Sequence, residues 1–136
     1  MSTKVFVTLP VKDLKNSIRF YEALGYKQNP QFSDETAASI VICDTIYVML
    51  GTHDTFKKFT PKEIADPTKF CNSLLSLSCE SRSAVDDLIS KALAAGGSQA
   101  HEPEDYGFMY QSGFYDLDGH GWGVLWMDPA AVQPSS

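Results

Sequence analysis

The chain writes one structural pattern twice, and that repetition limits the folds open to it more than any other feature. From Lys4 to Val11 the residues alternate, with Val5, Val7, Leu9 and Val11 on one side and Phe6, Thr8 and Pro10 on the other, as a strand requires. Asp13 is placed to cap a helix whose apolar positions Leu14, Ile18, Tyr21 and Leu24 share a side. Gly25 follows, where a left-handed residue ends a helix.

The second copy begins roughly 68 residues further on. Leu75, Leu77 and Cys79 alternate with Leu74, Ser76 and Ser78. Ser81 or Ser83 caps the next helix, and Ser83 with Asp86 has the spacing of a capping box. Val85, Leu88, Ile89, Ala92 and Leu93 keep a helical rhythm until Gly96-Gly97 stops it.

Three strands are expected after each helix. In the first copy they are Lys27–Phe32, Ala37–Ile42 and Ile46–Leu50; in the second, Gln99–Glu102, Phe108–Tyr115 and Trp122–Met127. Asp118-Gly119 is the turn signal between the last two. The expected organisation is one domain over residues 1–136: a first module at about 4–51, a connector 52–72, a second module at about 73–128 and a loose tail 129–136. Inside the connector, Thr60-Pro61-Lys62-Glu63 reads as the start of a short helix.

Composition narrows the function classes. A formal charge of −6 supplies no basic stripe for phosphates, so nucleic acid is not an expected partner. No apolar run approaches the roughly 18 residues that span a bilayer, and Met1 to Lys4 lead straight into a strand pattern without a signal arrangement. No membrane partner is expected, and a cytoplasmic location is the default. Cys43, Cys71 and Cys79 form neither a disulfide framework nor a zinc pattern.

Asp13-Leu14, Ser17, Phe20-Tyr21 and Leu24-Gly25-Tyr26 in the first module, with Phe114-Tyr115-Asp116-Leu117-Asp118-Gly119-His120-Gly121-Trp122 in the second, resemble the vicinal oxygen chelate superfamily of glyoxalases, bleomycin-resistance proteins and extradiol dioxygenases. The resemblance covers residues 4 to 128. It implies an α+β fold: two βαβββ modules forming a curled mixed sheet, an open barrel with helices outside and a ligand cavity within. It also implies a homodimer.

Metal-using relatives take one ligand, histidine or carboxylate, from each of four strands. Carried onto this sequence, those positions fall on Phe6, Met49, Leu74 and Gly123. Phenylalanine, leucine and glycine side chains cannot ligate, and a thioether is a poor donor for zinc, nickel or ferrous iron. The expectation is therefore no metal site and no cofactor. His53, His101 and His120 offer no substitute motif, since none is followed within five residues by another histidine or a cysteine. His101 does stand beside Glu102, Glu104 and Asp105, which also reads as a solvated acidic turn.

The face opposite the helices is then expected to line the cavity, with Phe6, Thr8, Tyr47, Met49, Leu74, Ser76, Gly123 and Leu125, and Tyr110 added from a strand whose inward face the sequence leaves open. Trp122 and Trp126 share the helix-facing side with Val124. No catalytic residue is assigned. The functional expectation is a protein that binds or sequesters a small, partly apolar or cationic compound. The alternative is a lyase or dioxygenase with a rearranged metal site, or acid–base chemistry by His101, Glu102, Tyr110 or His120.

Overall fold

In the computed structural model, which describes residues 3–131, the two expected caps open the two longer helices. Asp13 accepts from the Asn16 backbone N–H at 3.0 Å and begins α1, Leu14–Ala23. Ser81 accepts from the Ala84 N–H at 3.1 Å and begins α3, Arg82–Ala94, so Ser81 rather than Ser83 is the cap. Gly25 and Gly96 follow these helices with φ of 106° and 105°, backbone that a Cβ would strain.

The chain divides into two compact units that meet between Phe70 and Cys71. In the first unit β1 (Val5–Val11), β2 (Lys27–Asn29), β3 (Ala37–Cys43) and β4 (Ile46–Thr52) form a sheet in the order β1-β4-β3-β2. β1 runs parallel to β4 and the other pairs are antiparallel. The second unit repeats the plan with β5 (Leu75–Ser78), β6 (Ser98–Asp105), β7 (Met109–Tyr115) and β8 (Gly121–Met127) in the order β5-β8-β7-β6. Again the first strand is parallel to the last. The fold is α+β, two mixed sheets each packed by a helix.

Each core lies between helix and sheet. Leu9, Val11, Ile40, Val48 and Leu50 meet Leu14, Phe20, Tyr21 and Leu24 in the first unit. Val124, Phe114 and Trp122 are buried with Val85, Leu88, Ile89 and Ala92 in the second. Full burial of an aliphatic or aromatic side chain stabilises by about 1.5–3 kcal/mol, so these alternating apolar positions fix which face turns inward.

Four expectations are corrected. Ile18 is only half-buried while Ser17 and Phe20 are buried, because α1 turns a slightly different face to the sheet. Leu93 is exposed near the end of α3. The strand expected at Lys27–Phe32 ends at Asn29, whose side chain caps a 3-10 turn at Pro30–Phe32. The connector's helical turn is α2, His53–Phe56, capped by Thr52, and not the Thr60 segment. Thr60 Oγ1 accepts from the Lys62 N–H at 3.2 Å, which closes a local turn instead of starting a helix.

Of the tail expected at 129–136, Pro129–Ala131 form a turn after Asp128, and 132–136 lie outside the described residues. Among the described residues no helix is long and apolar enough to cross a membrane.

Candidate binding site

In the first unit the face away from α1 is set by strand register. Phe6 lies opposite Tyr47, and Thr8 opposite Met49. Phe6 is 60% exposed, and its ring stacks on that of Tyr47 with centroids 5.0 Å apart and planes inclined by 13°. The Tyr47 hydroxyl donates to the Asp44 carbonyl at 2.9 Å, which holds the ring in place. Lys4 Nζ sits 5.7 Å from the Tyr47 centroid, so the chain supplies its own cation to this aromatic pair.

The second unit builds a concavity of about 310 Å³ on the corresponding face. Its floor is backbone: Gly113 of β7 lies directly opposite Gly123 of β8. On one flank Ser76 of β5 is paired with Gly123, and its Oγ stands 2.6 Å from where a Gly123 Cβ would begin. On the other flank His101 of β6 is paired with Gly113, and its Nε2 stands 3.2 Å from the corresponding point above Gly113. Tyr115 and Leu74 fold over Gly121 at one end. Leu125 and its partner Gln111 stand at the other.

His101 is oriented from behind. Its Nδ1 is 2.8 Å from the Glu102 carbonyl oxygen, which can only accept, so Nδ1 carries the proton. In the neutral ring Nε2 is then the acceptor, facing the concavity. Glu104 Oε1 lies 3.7 Å from Nδ1. That carboxylate is itself fixed by the Tyr106 hydroxyl at 2.6 Å and the Gln111 amide at 3.2 Å. Those two hydrogen bonds, with the nearby His101, hold the Glu104 carboxyl below its ordinary pKa.

Tyr110 is not part of this surface. It pairs with Trp126 and its hydroxyl donates to Asp86 of α3 at 2.7 Å, which places it on the helix side of the sheet. The hydrogen bond to Asp86 also raises the phenol's pKa. Trp126 takes the Arg82 guanidinium over its ring at 4.5 Å, so it too faces α3. The sequence left the inward face of β7 open, and the structure puts Gln111, Gly113 and Tyr115 on the concavity.

His53 begins α2, and His120 lies in the β7–β8 turn, where its N–H donates to Asp116 Oδ1 at 2.9 Å. Among the described residues no group of three or more histidine, cysteine or carboxylate side chains is arranged to hold a metal ion.

The sequence profile of the Glyoxalase/Bleomycin resistance protein/Dioxygenase superfamily matches residues 5–124. The chain belongs to this superfamily. A hypothetical protein from S. aureus is 32% identical, with a TM-score of 0.77 over 92% of this chain and 94% of that one. A glyoxalase/bleomycin resistance protein/dioxygenase family enzyme from Burkholderia phytofirmans shares the fold at 16% identity, with a TM-score of 0.79 over 93% of this chain and 99% of that chain. A fosfomycin resistance protein from Mesorhizobium loti does so at 13% identity, with a TM-score of 0.70 over 96% and 97%. No curated protein matches the sequence.

Against the superfamily's ligand pattern, Phe6 and Met49 occur in the first unit and Leu74 and Gly123 in the second. Phe6 is stacked on Tyr47, Leu74 leans over Gly121, and the space above Gly123 is taken by Ser76. None of these four side chains is a donor suited to a divalent metal.

Proposed function

We propose that this superfamily member binds or sequesters a small, partly apolar or cationic compound on the open faces of its sheets, without a metal. The observation that carries the reading is the pair of open faces: a stacked, exposed Phe6–Tyr47 pair in one unit and a glycine-floored concavity in the other. A concavity of about 310 Å³ is at the lower end of the roughly 300–1,000 Å³ of small-molecule sites. Of the two ligand types, the negative net charge favours a cation, whereas Lys4 over Tyr47 favours an uncharged ring at that pair. The reading includes the homodimer that the superfamily resemblance implies, in the cytoplasm, with neither nucleic acid nor membrane as a partner.

A second reading, acid–base chemistry without a metal, is favoured by one observation: His101 presents Nε2 to the concavity with Nδ1 anchored on a carbonyl.

Calorimetric titration with nickel and zinc tests the metal-free claim. The native chain should show no site that survives Cys43→Ser, Cys71→Ser and His53→Ala, which remove the two exposed thiols and the connector imidazole. A saturable native site that persists in the Cys43, Cys71 and His53 variants would overturn the reading in favour of a lyase or dioxygenase.

A further inference from the structure

The second unit's concavity has a chemistry of its own that the reading above leaves unspecified. We propose that it is a site for a flat, non-anionic molecule that carries an O–H or N–H donor, with His101 Nε2 accepting that hydrogen bond. The inference rests on the proposed binding role and names the ligand class of one face.

Three features of the concavity select that class. Gly113 and Gly123 are directly opposed, so their missing side chains leave a strip of bare backbone between Ser76 and His101. Ser76 Oγ and His101 Nε2 lean toward this pair, 2.6 Å and 3.2 Å from where the Cβ atoms would begin, so the strip between them is narrow and suits a thin body. The ends are apolar or aromatic, with Tyr115 and Leu74 on one side and Leu125 on the other. A planar apolar body fits there better than a branched one.

Polarity is set by His101. Nδ1–H donates to the Glu102 carbonyl oxygen at 2.8 Å, which leaves Nε2 an acceptor, and among the described residues nothing hydrogen-bonds to Nε2. An acceptor facing an apolar trough is satisfied by a ligand that donates. Ser76 Oγ, on the opposite flank, both donates and accepts and so imposes no further restriction.

Charge excludes the acidic analogue. Glu104 Oε1 is 3.7 Å from the imidazole Nδ1. An anion placed against Nε2 would face this carboxylate group, whereas a neutral donor meets no such repulsion. A cationic N–H donor meets the same acceptor and is drawn to the same carboxylate, so charge excludes anions alone.

Two-dimensional NMR titration of the full chain with phenol, anisole and benzoate decides the matter. The three share a ring and differ in the group offered to Nε2: a donor, a blocked donor and an anion. Phenol should shift the His101 ring signals and the Gly113 and Gly123 amides in a saturable way. Anisole and benzoate should bind about tenfold more weakly or not at all, and His101→Phe should reduce phenol binding by a similar factor. Ser83→Ala, remote from the trough, should leave the phenol affinity unchanged. Equal binding of phenol and anisole, or saturable shifts confined to Phe6 and Tyr47, would overturn this inference while leaving the binding role intact. If none of the three compounds bound, this inference would fall, and if cationic and glutathione-derived compounds titrated in parallel also failed, the binding role would fall with it.

Discussion

His101 and Gly113 are paired across β6 and β7, and the imidazole occupies the space that a side chain on Gly113 would need. A Cβ there would stand 3.2 Å from His101 Nε2 and 3.0 Å from the Trp122 carbonyl oxygen. The ring can swing away, but the carbonyl belongs to a core strand and cannot. Gly113→Ala should therefore destabilise by about 1–3 kcal/mol, the usual range for overpacking, and displace His101. Gly123→Ala meets only the Ser76 side chain, which can change rotamer, and should stay within about 0.5 kcal/mol of the native chain. Urea denaturation of both variants checks the contrast.

The caps give a second test. Asp13→Ala and Ser81→Ala should each cost about 1 kcal/mol, because each leaves a first-turn N–H without its side-chain acceptor. Ser83→Ala should cost much less, since Ser83 hydroxyl bonds only to that of Ser81. Denaturation midpoints with unchanged slopes would report these differences.

How much of this was legible beforehand can be judged strand by strand. Val48, Leu50, Val124 and Trp122 turned inward as alternation requires, because a sheet covered on one side by a helix leaves no freedom in parity. Alternation does not say which parity a strand takes when both of its faces carry aromatics. Tyr110 and Phe114 share one face of β7 and Tyr115 takes the other, and the Tyr110–Asp86 bond with the burial of Phe114 assigns the faces. β6 was harder still: its pairing with β7 shifts between Gln99 and His101 and again between His101 and Glu104, so no simple period runs through it. Phe20 displaced Ile18 from the α1 core face for a related reason, since both lie within one turn of the same apolar stripe.

Tyr110 offers a direct check of that assignment. Tyr110→Phe removes a hydrogen bond to α3 and should lower the melting temperature slightly, while leaving phenol binding unchanged. A loss of binding with unaltered melting would move Tyr110 back to the open face.

Glu104 gives a prediction in pH. Its carboxyl is held below the ordinary value in the folded chain, chiefly by the Tyr106 hydroxyl and then by Gln111. The ionised form therefore stabilises the fold fully above the ordinary carboxylate range, and the contribution is lost as pH falls through the depressed folded value. Glu104→Gln should be less stable than the native chain near neutrality, and the difference should close in acid. Melting temperatures measured in parallel from neutral pH to well below the ordinary carboxylate range would show the convergence.

The most direct test of metal-free binding is thermal unfolding of chelator-treated protein against neutral aromatic, cationic and glutathione-derived compounds, each with and without nickel or zinc. A compound that binds only the folded chain adds about 2.7 kcal/mol of stability at a hundredfold excess over its dissociation constant. The expected result is a raised midpoint with at least one organic compound and no further change when metal is added. A midpoint that rises with metal alone, or an organic response that appears only when metal is present, would contradict it.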